Sequence, residues 1–237
     1  MTIKEFSNEF DVSLNSYSGS SIELDEYEKS VLLTEAQEML VRELYKGVPQ
    51  GESFEKTEEM RRSLDSLIKT VRLDPTASQK GLSHSTMYEL PQDLWFITYE
   101  AVLLNDNSAG CMNGKEIQVI PMTQDEWNRS SRNPFRKPTK RKSVRLDSGN
   151  LLVELLSEFK LGTYIVRYLS KPNPIILLPL DGLTLNGYAG AKEDGTPTKI
   201  ASEAIKGIEC ELNSVTHRAI LERAVQLALS RVPQTGK

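Results

Sequence analysis

The chain has 237 residues, of which 38% are hydrophobic and 26% charged, with a net charge of −4. At about 150 residues per domain this is one to two domains, enough to bury roughly 70% of the extended surface without disulfides or metals. No apolar run approaches the ~18–20 residues of a membrane span, and the start Met1-Thr2-Ile3-Lys4-Glu5-Phe6 lacks the apolar stretch of a secretory signal, so the expectation is an intracellular, membrane-free protein.

The charge is unevenly spread. Between Arg129 and Arg145 lie eight basic residues and no acidic one: Arg129, Arg132, Arg136, Lys137, Lys140, Arg141, Lys142 and Arg145. Outside that window 21 basic residues face 33 acidic ones, a net −12, and residues 1–65 alone hold 15 acids against seven bases. An acidic body with one basic segment cannot grip nucleic acid over its whole surface. The segment can touch phosphate locally, pair with an acidic patch on a partner or a second copy, or be a solvated loop.

In chain order, residues 1–25 read as an N-terminal arm rich in Ser, Asn and acids, with Ile3, Phe6, Phe10, Val12 and Leu14 as apolar anchors. Residues 1–20 of this arm are expected to be disordered in the isolated chain and to order against a neighbour. Thr34-Glu35-Ala36-Gln37 has the form of a capping box, followed by Met39, Leu40 and Leu44 at helical spacing, which predicts a helix over 34–46. The preceding residues 28–33 fit either a strand or an earlier helical turn. A second helix is predicted over 54–71, with Ser53 as N-cap and Met60, Leu64, Leu67, Ile68 and Val71 on one face. From Ser85 to Leu180 the pattern changes to strands: 95–104, 116–120, 151–156, 164–169 and a short apolar run at 175–178. Close spacing without crossover helices favours antiparallel pairing over a parallel sheet. Thr123 to Trp127 reads as a capped helical turn, and Pro134 and Pro138 predict an extended, projecting path for the basic segment. Residues 182–198 read as a loop. A last helix is predicted over about 215–231, capped by Ser214, and its wide apolar face should pack with the two earlier helices.

The resulting expectation is an α+β protein. A small helical bundle (26–73 and 199–232, two N-terminal helices plus the C-terminal one) carries an inserted antiparallel β-domain (84–181), a sandwich or a small barrel, with the basic loop 129–145. Catalytic material is thin. There is no phosphate-cradling glycine motif and no nucleophile elbow, and Cys111, Cys210, His84 and His217 have no partners at metal-ligand spacing. His217 reads as a packing residue, His84 as a loop residue and Cys210 as a small buried hydrophobe. No enzyme activity, cofactor or metal is expected.

Several blocks carry a more specific signal. Leu90-Pro91-Gln92-Asp93-Leu94-Trp95-Phe96-Ile97-Thr98-Tyr99-Glu100, Asn133-Pro134-Phe135-Arg136-Lys137-Pro138, Arg167-Tyr168-Leu169-Ser170-Lys171-Pro172 with Pro174-Ile175-Ile176-Leu177, and Glu209-Cys210-Glu211-Leu212 resemble virion structural proteins of crAss-like bacteriophages. Leu24 to Ser30, Leu33 to Gln37 and His217 to Ala224 do so too, and the blocks run in order over about 25–225. The resemblance implies a head–tail connector, a neck or tail ring protein similar to the tail adaptors of short-tailed phages. It implies a homo-oligomeric ring, a dodecamer by portal symmetry, in contact with the portal protein and other neck and tail rings. Genome DNA would pass through the lumen without specific binding. The protein would reside in the virion after synthesis in the host cytoplasm. The competing reading is a nucleic-acid-binding accessory protein that uses residues 129–145.

Overall fold

The computed structural model describes residues 1–18, 22–46, 58, 61–76, 81–133, 135–180 and 182–231. The chain divides into two compact units: residues 1–67 with 172–237, and the inserted residues 68–171.

The first unit begins with a helix, not an unstructured arm. α1 (Ile3–Ser18) opens with a reciprocal cap: Thr2 N–H donates to Glu5 Oε2 at 2.8 Å, and Glu5 N–H donates to Thr2 Oγ1 at 3.4 Å. Phe6, Phe10 and Leu14 recur every four residues, so they fall on one stripe, and each is at most 1% exposed. Ile3 is half-buried. Of the anchors expected for a neighbouring subunit, Phe6, Phe10 and Leu14 therefore serve the chain's own core, while Val12 is 70% exposed. Residues 19–21 of the expected flexible stretch lie outside the described residues.

α2 (Glu26–Lys46) starts eight residues earlier than Thr34. Asp25 and Glu28 supply its cap, exchanging backbone and carboxylate bonds at 2.6 and 3.2 Å, which makes residues 28–33 helical. The Thr34–Gln37 pair is instead a buried docking site in mid-helix. Thr34 Oγ1 accepts from Ile175 N–H at 3.1 Å and donates to Ile175 O, Gln37 Nε2 donates to Asn173 O at 2.9 Å, and Ser30 Oγ accepts from Leu177 N–H at 2.8 Å. These bonds satisfy the backbone of residues 173–177 where a strand partner otherwise would. The apolar run 175–178 thus belongs to the helical unit, with Ile176 bridged to Ile208, and the boundary falls at 171/172.

α1 and α2 both pack against the C-terminal helix, whose buried face holds Ile220, Leu221, Ala224, Val225 and Ala228 (Ser214–Arg231; α4 below). Asn213 Oδ1, one residue before the expected Ser214, accepts from Val215 N–H. Salt bridges Arg223–Glu43 (2.6 Å) and Arg231–Glu35 (2.5 Å) tie α4 to α2. Between α1 and α2 the Lys29 ammonium, 5% exposed, reaches Asp11 at 2.7 Å and Glu26 at 3.1 Å. Burial alone would lower its pKa, but these two carboxylates more than offset it and leave it raised. The stretch 182–198, expected as a loop, contains a small hairpin of β8 (Gly190–Ala191) and β9 (Pro197–Thr198).

His217, near the start of α4, is 7% exposed, packs on Phe6 with ring centroids 5.4 Å apart, and donates from Nε2 to Leu212 O at 2.9 Å. The Met1 ammonium donates to its Nδ1 at 2.7 Å, which leaves the imidazole neutral. Burial holds its pKa below the usual 6.5, with the Met1 charge acting in the same direction and the Leu212 bond against it. A depressed folded-state pKa means that the unfolded chain binds the proton more readily. Stability is therefore complete above pH 6.5 and declines as pH falls from there towards the folded-state value. Thermal melts should show this decline, and His217→Gln should flatten it; an unchanged slope in that variant would exclude His217 as the source.

The inserted unit begins where the second predicted helix was to continue. Residues 61–64 are helical, 65–67 form a 3-10 turn, and β1 (Ile68–Leu73) is an edge strand antiparallel to the later β7. Ser53, residues 54–57 and Met60 lie outside the described residues. The expected helix thus stops before 71: Ile68, Thr70 and Val71 are β-branched and pair with Leu169, Arg167 and Val166.

The other strands are β2 (Ser85–Glu89), β3 (Leu94–Leu104), β4 (Glu116–Pro121), β5 (Lys142–Gly149), β6 (Leu152–Leu156) and β7 (Leu161–Ser170). They form one sheet in the order β1-β7-β3-β4-β5-β6-β2. Every pairing is antiparallel except β4–β5, which is parallel and departs from the all-antiparallel expectation. Its crossover contains α3 (Gln124–Ser130), closed by the expected Thr123–Glu126 capping box and packed through Trp127, with Met122, over Val144, Leu146 and Leu156.

The sheet curls around its main core. Tyr88 on β2, at one end of the strand order, donates to Gly162 O on β7 at 2.6 Å and stacks at a tilt on Tyr164, 5.2 Å away. Thr76 N–H, just after β1, donates to Met87 O on β2 at 2.8 Å. Val102, Ile117, Val153, Leu155 and Val166 fill the enclosed space. The architecture is thus α+β, three packed helices with an inserted, barrel-like sheet.

Candidate assembly surfaces

The basic segment does not run extended. Its first residue, Arg129, sits on α3, and its last four residues, 142–145, lie in β5. Between them the chain makes successive turns. Asn133 Oδ1 accepts from Phe135 N–H at 3.0 Å, Asn133 O accepts from Arg136 and Lys137 N–H, and Thr139 and Lys142 exchange backbone bonds around Lys140-Arg141. An Asn side chain imitating a backbone turn explains how so many like charges are displayed on a short, compact element. Arg129, Arg132, Arg136, Lys137, Lys140 and Arg141 are exposed, and Phe135 among them is 87% exposed. Pro138 is buried and fixes the base of the turn; Pro134 lies outside the described residues.

The first unit carries a surface of opposite character. The β8–β9 hairpin and the segment 205–211 enclose an open groove of about 700 Å³. Leu178, Pro197, Ile205 and Ile208 give it an apolar floor, with Ile3 at one side. Glu193 and Asp194 at the hairpin tip and Glu209 and Glu211 on the 205–211 segment give it four exposed carboxylates, against two lysines, Lys4 and Lys206, in the same lining. The tip is rigid: Lys192 N–H donates to Thr196 O, Asp194 Oδ1 accepts from Thr196 N–H at 2.9 Å, and Gly195 turns the chain at φ 86°. Those bonds from Thr196 keep the Asp194 carboxyl below the usual carboxylate range, hence ionised. Glu211 accepts from both the side chain and backbone of Asn173. Lys206 turns its ammonium to Glu193 O at 3.0 Å. Gly207 allows the close approach beneath the floor, since a Cβ there would stand 2.0 Å from Ile176 O.

A family model described as phage tail ring protein 3/4 matches residues 1–237. The chain belongs to that family. It is 47% identical over 243 aligned positions to "Ring protein 3" of Bacteroides phage crAss001, covering 100% of this chain and 99% of the relative. It is 32% identical to "Ring protein 4/5" of the same phage, over 96% of this chain and 92% of that relative.

In this ring protein the eight predicted basic residues part into two groups. Six are exposed on α3 and the turns. Lys142 is half-buried and donates to Phe135 O at 2.8 Å, stiffening the turn from behind. Arg145 faces the inserted unit itself: its Nη1 pairs with Glu100 Oε2 at 2.9 Å, and its Nε lies 3.2 Å from Asp147 Oδ1. The same Glu100 oxygen accepts from Tyr164 Oη at 2.6 Å. Arg145 is therefore an internal charge, not a surface contact. Cys111 is exposed while Cys210 is half-buried and donates from Sγ to Gln37 Oε1 at 3.2 Å; burial pushes the Cys210 thiol up to about 11. His84 lies in a loop at φ 63°. Among the described residues no group of three or more His, Cys, Asp or Glu is placed to hold a metal ion. No sequence motif marks the groove of the ring protein. Its signal there is faint, two acidic pairs (Glu193-Asp194 and Glu209/Glu211) in segments read as a loop and a buried cysteine's surroundings.

Proposed function

We propose that this ring protein is a non-enzymatic structural component of the virion neck that links portal to tail around the DNA channel. The observation that carries the reading is the family match over the whole chain, together with relatives that align nearly end to end and are themselves named ring proteins. A ring built from one chain needs a head-to-tail interface between two different patches of that chain. The exposed basic turn, Arg129, Arg132, Arg136, Lys137, Lys140 and Arg141, serves as one such patch. The net −12 of the remaining chain suits a lumen along which phosphate slides without sticking. The ring is a dodecamer matched to the portal, contacts the portal and further neck and tail rings, and is made in the host cytoplasm before incorporation.

Purified virions test this. Quantitative mass spectrometry should find the chain in a copy number equal to the portal's, and imaging should place it as a ring at the neck. Absence from virions, or a copy number unrelated to the portal's, would overturn the assignment. The wild-type chain should bind duplex DNA no more tightly than about micromolar at physiological salt. Tight, steeply salt-dependent binding lost on changing Arg132, Arg136 and Arg141 to Glu, with assembly intact, would favour a nucleic-acid accessory role instead.

A further inference from the structure

We propose that the basic turn of one copy docks into the acidic groove of the next, with Phe135 seated on the groove's apolar floor. The inference rests on the reading of the turn as an assembly contact and names its partner surface.

The two surfaces match in three respects. The turn presents six exposed cations, and the groove lining carries four exposed carboxylates against Lys4 and Lys206, a net negative surface, so the long-range field draws one to the other. Phe135 is the exposed aromatic of the turn at 87% exposure, and the groove holds apolar surface in which Ile205 is 64% exposed. A large aromatic in a pocket ringed by charge pairs is the composition of an interface hot spot, because the surrounding contacts exclude water from the anchor. Arginine forks beside such an anchor reach carboxylates in bidentate geometry, which fixes register.

The occupant is a second copy because one chain carries both halves. The turn lies in the inserted unit and the groove in the helical unit, so the contact joins unlike patches and is heterologous, the type that closes into a ring. The groove's four carboxylates outnumber Lys4 and Lys206, so its net charge disfavours phosphate. Both elements are also stiff before binding, the turn through Asn133 and Lys142 and the hairpin through Thr196, so little order is lost on docking.

The test places p-benzoylphenylalanine at position 135 of the full-length chain in assembled virions. Photolysis should join it to the 193–211 region of another copy of the same chain. An adduct elsewhere on the chain, on a different protein or on DNA overturns the proposal. A charge swap provides the second arm. Arg132→Glu with Arg136→Glu and Lys137→Glu should weaken assembly on the order of 100-fold or more, as should Glu193→Lys with Glu209→Lys, and the five changes in one chain should restore it. If the turn variant fails while the groove variant assembles normally, the turn remains an assembly contact but the groove is not its partner. If both assemble normally, the reading of the turn falls as well. Thermal midpoints of the isolated variants, all changed at exposed positions, should stay at the wild-type value.

Discussion

Phe10→Ala should cost the isolated chain about 3–5 kcal/mol, and removal of residues 1–18 should cost more, read as a large fall in thermal midpoint. Phe10 has 0% exposure on α1, which packs against α4. Truncation leaves a cavity that rigid helices fill only in part, so the loss exceeds the transfer free energy of the ring. Deletion adds the uncovering of α4 and removes Asp11, one of the two carboxylates that neutralise the buried Lys29 ammonium. Against a total of about 5–15 kcal/mol either change is severe. Val12, 70% exposed on the same helix, is the control: Val12→Ala should shift stability by no more than about 0.5 kcal/mol. Urea or thermal unfolding measures all three. A midpoint unchanged by Phe10→Ala would return α1 to the status of an arm awaiting a neighbour.

Arg145→Met should destabilise the inserted unit by about 3–5 kcal/mol, because it strands a buried charge. The Arg145 and Glu100 side chains are 12% and 9% exposed, and Tyr164 closes the pair from β7. Burial pushes the Glu100 carboxyl up, against the pull of Tyr164 and Arg145, and the net shift is upward. A carboxyl whose folded-state pKa lies above its usual 4.5 binds its proton more readily in the folded chain. Its contribution is therefore largest at acid pH and declines as pH rises from 4.5 through the folded-state value. Removing Arg145 takes away one of the lowering influences and moves that value further up. The deficit of Arg145→Met should be smaller at mildly acid than at neutral pH, and adding Glu100→Gln should recover part of it at neutral pH. Equal deficits at both pH values would show that lost packing, not charge, sets the cost.

These two sites mark where local pattern and tertiary context part. The sequence determined the elements whose signal is contained within themselves. The aromatic and β-branched run expected as a strand over 95–104 forms β3, the apolar face at 220–228 requires a helix, and Thr123 and Glu126 cap α3 through neighbours three residues apart. Charge counting alone located the exposed turn, because clustered cations stay near water whatever backbone carries them. Tertiary structure decided what depended on distant partners. Residues 68–71 carry helical spacing but pair as β1 with a strand almost a hundred positions later. Lys142 to Arg145 read as a charged loop, yet Val144 and Leu146 anchor a strand that lets Arg145 meet Glu100. Thr34 and Gln37 resemble a cap until the backbone of residues 173–175, more than 130 positions away, arrives to take their bonds. Whether residues 3–18 form an arm or a core helix turns on the α4 face that only folding brings to them, since a lone helix of that length is marginal in water. The groove was illegible for the same reason: its acids come from the hairpin tip and from residues 209–211, which the sequence keeps about fifteen residues apart and the fold sets around one apolar floor.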